Sequence, residues 1–311
     1  MKSKTYKFPL FTLIGRCYNA AIAILFPNRY LLNVITTRTK QNRVNLHYWI
    51  TSLEIGGIFK NNLGDDLSLI IVKSMLEKKG LSLDSPINGK KHLYAIGSII
   101  SMGYQNATIW GSGILQEMSW IRKLFHHYPF RRLDIRAVRG PQTRDLLLSL
   151  GHKCPEVYGD PGLLLPYFYM PKNILKDKDY IFIPHFSKEN AYLSKYGSNH
   201  IVSMITSDYK KVVDNICASK KVISSSLHGI ILAEAYGVPA ILLRDREASK
   251  DFKYIDYYRS TLRPDYSYAC SLEQAIAMEP MPLPSNINDL QRQLIETFPY
   301  DLWINNQKQV L

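Results

Sequence analysis

One stretch of the chain, Lys221–Arg244, constrains its fold more than any other. The apolar residues that lead into Ser224–Ser226, and the apolar run that ends at Leu243, predict two buried strands with a helix between them. Serine residues cap helices well, while Gly237 and Pro239 end the helix before the second strand. A strand, a helix and a second strand in succession are typical of a parallel sheet, so the stretch predicts an α/β fold.

His228 stands at the start of that helix, just outside the carboxyl end of the preceding strand. Open α/β sheets bind ligands at this edge, and the free backbone N–H groups of a helix N-terminus favour anions. A ligand-binding histidine and a satisfied structural histidine are both compatible with this position.

The formal net charge of +13 indicates an anionic partner, such as nucleic acid, a phosphorylated metabolite or acidic lipid. No zinc-finger, helix-turn-helix or aromatic RNA-binding pattern is present, so we expect no nucleic-acid partner. The cysteines are far apart and form no C-x-x-C pair: Cys17, Cys154, Cys217 and Cys270. This spacing favours reduced thiols in a cytosolic protein and indicates neither a metal site nor a redox site.

The N-terminal segment, residues 1–44, is basic and carries no carboxylate. Within it, residues 10–26 are largely apolar, and the polar residues Thr12, Arg16 and Asn19 recur at helical spacing. Such a segment suits an amphipathic helix lying on an anionic membrane surface. A cleaved signal peptide and a helix packed on the protein's own core are the alternatives.

Two α/β halves follow this segment. A Pro- and Lys-containing stretch without clear periodicity lies between them and indicates a linker. The predicted division is a first Rossmann-like domain, a linker, a second Rossmann-like domain, and a C-terminal helix with a tail: 45–166, 167–178, 179–285 and 286–311.

Polar loops of the first half supply further candidate site residues. Asp65 and Asp66 precede a helix predicted from Leu67, and Gly64 permits a tight turn before them. Capping needs one of the two carboxylates, which leaves the other as a candidate base or acceptor of a hydroxyl hydrogen.

Glycine and arginine residues follow the later strands of this half. Gly111 and Gly113 come after a predicted strand and indicate a backbone surface that a ligand approaches closely. Arg139 follows another strand and Arg144 lies in the next helical turn, and both suit binding of a carboxylate or phosphate.

Several runs of the chain, in this order, resemble the polysaccharide pyruvyl transferase family over roughly residues 45–285. They are Asn62–Ser68, Gly111–Gly113, Arg139–Arg144, Tyr158–Leu163, Ser225–Gly229 and Lys253–Tyr258. The resemblance implies two Rossmann-like domains facing a cleft, as in B-type glycosyltransferases. It also implies transfer of pyruvate from phosphoenolpyruvate to two hydroxyls of a sugar in a surface-polysaccharide precursor, forming a ketal without metal or cofactor.

The implied acceptor is a lipid-linked oligosaccharide, which would place the protein in the cytoplasm, peripheral to the inner face of the plasma membrane. A two-domain glycosyltransferase that uses a nucleotide sugar is the alternative function with the same architecture.

The resemblance gives His228 contact with the donor phosphate and proton transfer, the latter suited to a group that titrates near neutrality. Candidates to bind the donor are Arg139, Arg144, His185, Ser225, Ser226, Gly229, Arg244 and Lys253. Ser226 departs from the family, in which many members place an arginine two residues before the histidine; Arg244 and Lys253 are the nearest replacements.

Overall fold

Two four-stranded parallel sheets, one in each half of the chain, form the framework of the protein. The structure, a computed structural model, describes residues 40–49, 53–55, 58–102, 106–115, 132–244 and 252–304. The α/β fold predicted from the sequence is confirmed.

The first half contains the sheet β1-β4-β5-β6 and a separate antiparallel hairpin. Its elements are β1 (Arg43–His47), β2 (Leu53–Ile55), β3 (Ile58–Lys60), α1 (Leu63–Glu77), β4 (Lys90–Tyr94), a 3₁₀ helix (Ile100–Met102), β5 (Ala107–Trp110), β6 (Leu133–Ala137) and α2 (Pro141–Ser149). Leu46 of β1 pairs with Leu93 of β4. These strands are mostly buried, as parallel sheets require.

The second half contains the sheet β10-β9-β8-β7. After a 3₁₀ helix (Pro161–Tyr167) come β7 (Lys178–Ile183), a 3₁₀ helix (Phe186–Lys188), α3 (Glu189–Tyr196), α4 (Tyr209–Cys217), β8 (Ser219–Ser224), α5 (Leu227–Ala235), β9 (Ala240–Leu243), α6 (Phe252–Ser260), β10 (Tyr268–Ala269), α7 (Leu272–Ala277), α8 (Ile287–Glu296) and a 3₁₀ helix (Tyr300–Leu302). The unit predicted over Lys221–Arg244 is therefore β8-α5-β9.

Ser226 occupies the N-cap position of α5, but its side chain makes no capping hydrogen bond. Instead, the Ser224 hydroxyl accepts the Ser226 N–H at 3.0 Å and lies 2.8 Å from the Ile183 carbonyl oxygen. The serines therefore join α5 to the neighbouring strand β7.

Helix α1 begins at Leu63, four residues before the predicted start, with Asn62 at its N-cap. The prediction that Asp65 or Asp66 caps this helix is therefore wrong. A contact between the two halves fixes the helix start, because the Leu63 N–H donates to the Met204 carbonyl at 2.7 Å and Asn62 bridges to Ile205. Both carboxylates lie in the first turn, where negative charge complements the helix dipole.

The 3₁₀ helix Pro161–Tyr167 lies where the two halves meet. It contacts α1, α5 and α8, and Leu163, Leu164 and Leu165 are fully buried in an apolar core that includes residues of both sheets. The two halves therefore share part of their apolar core. The two Rossmann-like domains, the open cleft between them and the domain boundaries stay predictions.

Helix α8 returns to the first half. Its Leu294 carbonyl accepts a hydrogen bond from Nε1 of the buried Trp110 at 2.9 Å. Gln291 donates to the Leu163 carbonyl at 2.8 Å. Helix α8 therefore packs against β5 and the 3₁₀ helix Pro161–Tyr167.

Most of the predicted membrane-interfacial segment, residues 1–39 of 1–44, lies outside the described residues. Within the described ranges, no helix combines the length and apolar character that crossing a bilayer requires.

Candidate active site

The carboxyl ends of both sheets contribute residues to one region. Ser98 follows β4 and Arg139 follows β6, while His185 follows β7 and Ser225 follows β8. Ser98 bonds Arg139, and Ser225 bonds His185. Arg139 and His185 both act electrostatically on His228, so residues from both sheets meet at this histidine.

His228 is the second residue of α5, and 13% of its side chain is exposed. A β-carbon at Gly64 would overlap its Nδ1, so the first turn of α1 approaches the imidazole more closely than any other residue type would permit. On the other side of the ring, Nε2 lies 3.9 Å from Oδ2 of Asp160. The imidazole is therefore held between the two halves.

Burial and nearby cations lower the pKa of His228 to about 3. Desolvation is the largest cause, followed by the positive charges of Lys253, Arg139 and His185. The imidazole is thus neutral at physiological pH, and an anion bound among these cations would favour its protonation.

Lys253, the second residue of α6, is partly buried beside the same histidine. Desolvation, and then the charge of Arg139, lower its pKa to about 8, while the negative charge of Asp65 opposes this shift. Asp65 is therefore the carboxylate of the predicted pair that faces Lys253.

Asp66 lies in a different environment. Its pKa is raised by burial, and the shift is opposed by a hydrogen bond at 3.3 Å from Asn61. Its charge contributes to the raised pKa of Tyr48. The structure thus separates the two neighbouring carboxylates, and only Asp65 acts on a residue that faces His228.

Arg139 is 1% exposed, and each guanidinium nitrogen has a protein partner. Nε donates to Asp256 at 3.1 Å, Nη1 to Ser98 at 2.6 Å and Nη2 to the Ile114 carbonyl at 2.7 Å. Gly113 makes room for this guanidinium, because a β-carbon there would overlap it. The observed contacts link the first sheet to α6, and the predicted contact with the donor stays a prediction.

Asp256, which is fully buried, also accepts hydrogen bonds from the first turn of α2. It accepts the Thr143 N–H at 2.9 Å and the Thr143 hydroxyl at 2.6 Å. The run Lys253–Tyr258 thus places one residue beside His228 and another at the junction between the halves.

Arg144 and Arg244 make other contacts. Arg144 donates to the Cys154 carbonyl at 3.2 Å and pairs with Glu156 at 3.0 Å. The guanidinium of Arg244 lies 4.4 Å from the ring centroid of Tyr268. Neither arginine is among the charges that shift the pKa of His228, whereas the charge of Arg244 acts on Tyr254.

The remaining predicted residues shape the loops around α5. The Ser225 hydroxyl accepts the His185 N–H at 2.8 Å, and the Ser225 carbonyl accepts the Tyr254 hydroxyl at 2.9 Å. Nδ1 of His185 lies 2.8 Å from the Ser187 hydroxyl. Gly229 lets α5 pack on β8, because a β-carbon there would overlap the Ser224 hydroxyl.

Asp160 is a candidate site residue that sequence reasoning missed. It is 1% exposed, and its Oδ1 accepts the Gly162 N–H at 2.9 Å. Desolvation raises its pKa to about 6, opposed by the Gly162 hydrogen bond and by Arg139. Gly111 positions this loop, because it adopts φ +83° and a β-carbon there would overlap Pro161. The run Tyr158–Leu163 was among those that carry the family resemblance, and this was a usable signal for Asp160.

Among the residues that the structure describes, no three His, Cys, Asp or Glu side chains come together in a way that could hold a metal ion. The site consists of a neutral imidazole, a lysine with a lowered pKa and two carboxylates, Asp65 and Asp160. These groups can bind an anion and transfer protons.

Comparison with known proteins gives similarities in sequence and in structure. The chain is 25% identical over 251 residues to an uncharacterized protein of Acanthamoeba polyphaga mimivirus, covering 76% of this chain and 82% of that protein. It is 28% identical over 228 residues to the succinoglycan biosynthesis protein ExoV of Rhizobium meliloti (strain 1021), covering 65% of this chain and 63% of that protein.

Among solved structures, the chain is similar to a functionally uncharacterized protein of Klebsiella pneumoniae. The TM-score is 0.45 at 13% sequence identity, with 82% of this chain and 97% of that chain covered.

The family model described as polysaccharide pyruvyl transferase matches residues 56–245. This range is more than half of the chain, and it includes Gly64, Arg139, Asp160 and His228. The family resemblance noted in the sequence motifs is therefore confirmed, and the chain belongs to the polysaccharide pyruvyl transferase family.

Proposed function

We propose that this protein transfers the pyruvyl unit of phosphoenolpyruvate to two hydroxyls of one sugar in a surface-polysaccharide precursor, forming a ketal and releasing phosphate. Membership of the family supports pyruvyl transfer in polysaccharide biosynthesis. The use of phosphoenolpyruvate and the formation of a ketal are supported by the position of His228. This residue lies between the N-terminus of α1 and Asp160, and the charge of Lys253 acts on it.

The region around His228 suits a small anion with two charged groups. The first turns of α1 and α5 meet there, and the N–H groups of a helix N-terminus bind phosphate and carboxylate. Lys253 adds a charge that is only partly solvated. The first turn of α1 carries Asp65 and Asp66, whereas that of α5 carries no carboxylate, so we assign the donor phosphate and carboxylate to the N-terminus of α5 and to Lys253.

The proposed reaction balances in atoms and protons. The donor methylene carbon takes up one proton and becomes a methyl group, which makes the neighbouring carbon electrophilic. One sugar hydroxyl adds to that carbon, the bond to the phosphate oxygen breaks, and the second hydroxyl adds. The two hydroxyls release two protons, of which the methyl group takes one and the departing phosphate the other.

His228 is the proposed proton carrier. Its pKa of about 3 reflects burial and the neighbouring cations, so it needs the negative charge of the donor before it can hold a proton. Once the donor is bound, the imidazolium can protonate the methylene carbon, and the neutral imidazole can then accept a hydroxyl proton. Asp65, which faces Lys253, is proposed to orient an acceptor hydroxyl.

The proposed acceptor is a lipid-linked oligosaccharide at the cytoplasmic face of the plasma membrane. The basic, apolar segment 1–44 supports a peripheral position on anionic lipid. Neither a metal nor a further cofactor is needed for the proposed chemistry.

The test is incubation of the purified protein with phosphoenolpyruvate and lipid-linked intermediates from a strain that lacks the protein. We expect release of one phosphate for each gain of one pyruvate ketal, measured by phosphate assay and mass spectrometry. H228N should abolish both, while D179N, on an exposed carboxylate paired with Lys220, should not. Release of a nucleoside diphosphate from a nucleotide sugar, with no reaction of phosphoenolpyruvate, would overturn the proposal.

A further inference from the structure

Two buried polar atoms face each other in the site without a hydrogen bond. Oδ2 of Asp160 and Nε2 of His228 each lack a partner within the described part of the chain, and 3.9 Å separates them. Buried polar atoms almost always have hydrogen-bond partners, so a buried donor and acceptor that lie this close without a hydrogen bond need an explanation. The distance is too short for another atom to be inserted between them.

We propose that Asp160 is a positioning residue. It accepts a hydrogen bond from the Nε2–H group of His228, which leaves Nδ1 to exchange a proton with the donor. This inference rests on the proposed function. The geometry favours it because Nδ1 lies on the side of Gly64, where the first turns of α1 and α5 meet. A proton on Nε2 fixes the tautomer in which Nδ1 carries the free electron pair.

The rigid surroundings of Asp160 support a positioning role. Oδ1 is held by the Gly162 N–H, and Pro161 packs tightly on Gly111. Gly162 in turn lies close to Ile231 of α5 and Leu67 of α1. The carboxylate is therefore fixed relative to both helices that carry the site, as an orienting group requires.

The 3.9 Å distance between Asp160 and His228 has an electrostatic explanation. Protonation of His228 is disfavoured by the positive charges of Lys253, Arg139 and His185, so the imidazole is neutral and binds Asp160 weakly. An anionic donor offsets these cations and allows an imidazolium to form. A closer approach of about 1 Å would then give a charge-assisted hydrogen bond of normal length.

Asp160 gives that bond its charge-assisted strength only in its ionised form. Its pKa is raised by burial to about 6, and the charge of Arg139 and the Gly162 N–H limit the increase. The carboxylate is therefore mostly ionised at neutral pH. It becomes protonated as the pH falls through about 6, and the orienting bond is then weakened.

The first test is D160N, which keeps the shape of the side chain and an oxygen for the Gly162 N–H. We expect kcat for phosphate release to fall by about 10²-fold or more, with the KM for phosphoenolpyruvate changed by about threefold or less. The acid limb of kcat/KM near pH 6 should shrink to the part set by the donor phosphate, whose own second pKa is also about 6. D179N is the matched control, with wild-type kcat and pH profile. A kcat within about twofold of wild type, or an acid limb of wild-type size in D160N, would overturn the proposal.

The second test needs neither turnover nor a stable variant. NMR of ¹⁵N-histidine-labelled wild-type protein reports the tautomer and pKa of His228 during titration with inorganic phosphate and with phosphoenolpyruvate. We expect Nε2 to carry the proton and the pKa of His228 to rise on binding, and in D160N to rise by at least about one unit less. A proton on Nδ1 of the neutral ring, or the same rise in D160N, would contradict the inference.

The two experiments separate the two proposals. If the wild-type protein releases no phosphate from phosphoenolpyruvate, the proposed function fails, whereas the titration with inorganic phosphate still reports whether Asp160 and His228 form a hydrogen bond.

Discussion

Removing the Asp256 carboxylate should destabilise the whole protein, because it holds Arg139 and the start of α2 together. Arg139 is 1% exposed and Asp256 is fully buried, so D256A leaves a guanidinium charge in the interior without its counterion. Breaking a buried ion pair from one side typically costs about 3–5 kcal/mol in the free energy of unfolding. Two hydrogen bonds to Thr143, at 2.9 and 2.6 Å, are lost in the same substitution.

The effect should depend on burial and pairing, which the matched controls test. In the exposed pair Arg136–Asp301 the two side chains are 34% and 60% exposed, and D301A should cost only about 0–1 kcal/mol. The double variant R139M/D256L removes both charges and should be more stable than D256A, because no unpaired charge remains.

Urea unfolding followed by circular dichroism measures these differences as shifts of the transition midpoint at constant slope. The reasoning would be refuted if D256A and D301A shifted the midpoint equally, or if R139M/D256L were no more stable than D256A.

Two further predictions concern the groups that contact or act on His228. G64A should lower turnover and destabilise the protein by about 1–3 kcal/mol, because the added β-carbon overlaps Nδ1 of His228. The control is K73A, at an exposed position of the same helix. Wild-type turnover in G64A would contradict the close approach. Affinity for phosphoenolpyruvate should fall as the pH rises through about 8, because Lys253 then loses its charge. Calorimetry between about pH 7 and pH 9 measures this affinity, and K253M should remove its dependence on pH. A constant affinity in the wild-type protein would exclude Lys253 as a donor ligand.

The candidate site could be predicted in part, because some of its residues lie in local patterns with a direct physical meaning. The strand, serine loop and helix around His228 followed from periodicity, and the structure places this histidine at the start of α5 as expected. The expected serine cap is absent, because the Ser226 side chain makes no capping hydrogen bond. Gly64 was interpreted only as a residue that permits a tight turn, whereas it lies within α1 and makes room for His228. Gly113 was interpreted as part of a surface that a ligand approaches closely, and the structure places the Arg139 guanidinium there.

The arginines show what local patterns leave open. Arg139, Arg144 and Arg244 had the right chemistry for an anion, but a sequence does not show which charges already have partners. Arg139 pairs with Asp256, which lies on α6 in the other half of the chain. The start of α1 was misplaced for a similar reason, because Met204 in the second half binds its first residue.

The sequence by itself determined the α/β fold, the order of its elements and the histidine at a helix start, because these depend on neighbouring residues. The family also followed from motifs along the chain. Only the tertiary structure decided that Asp160 faces His228, that Asp65 rather than Asp66 acts on Lys253, and that Arg139 joins the halves. Those contacts join segments far apart in sequence, and burial sets their energies, which a linear pattern does not contain.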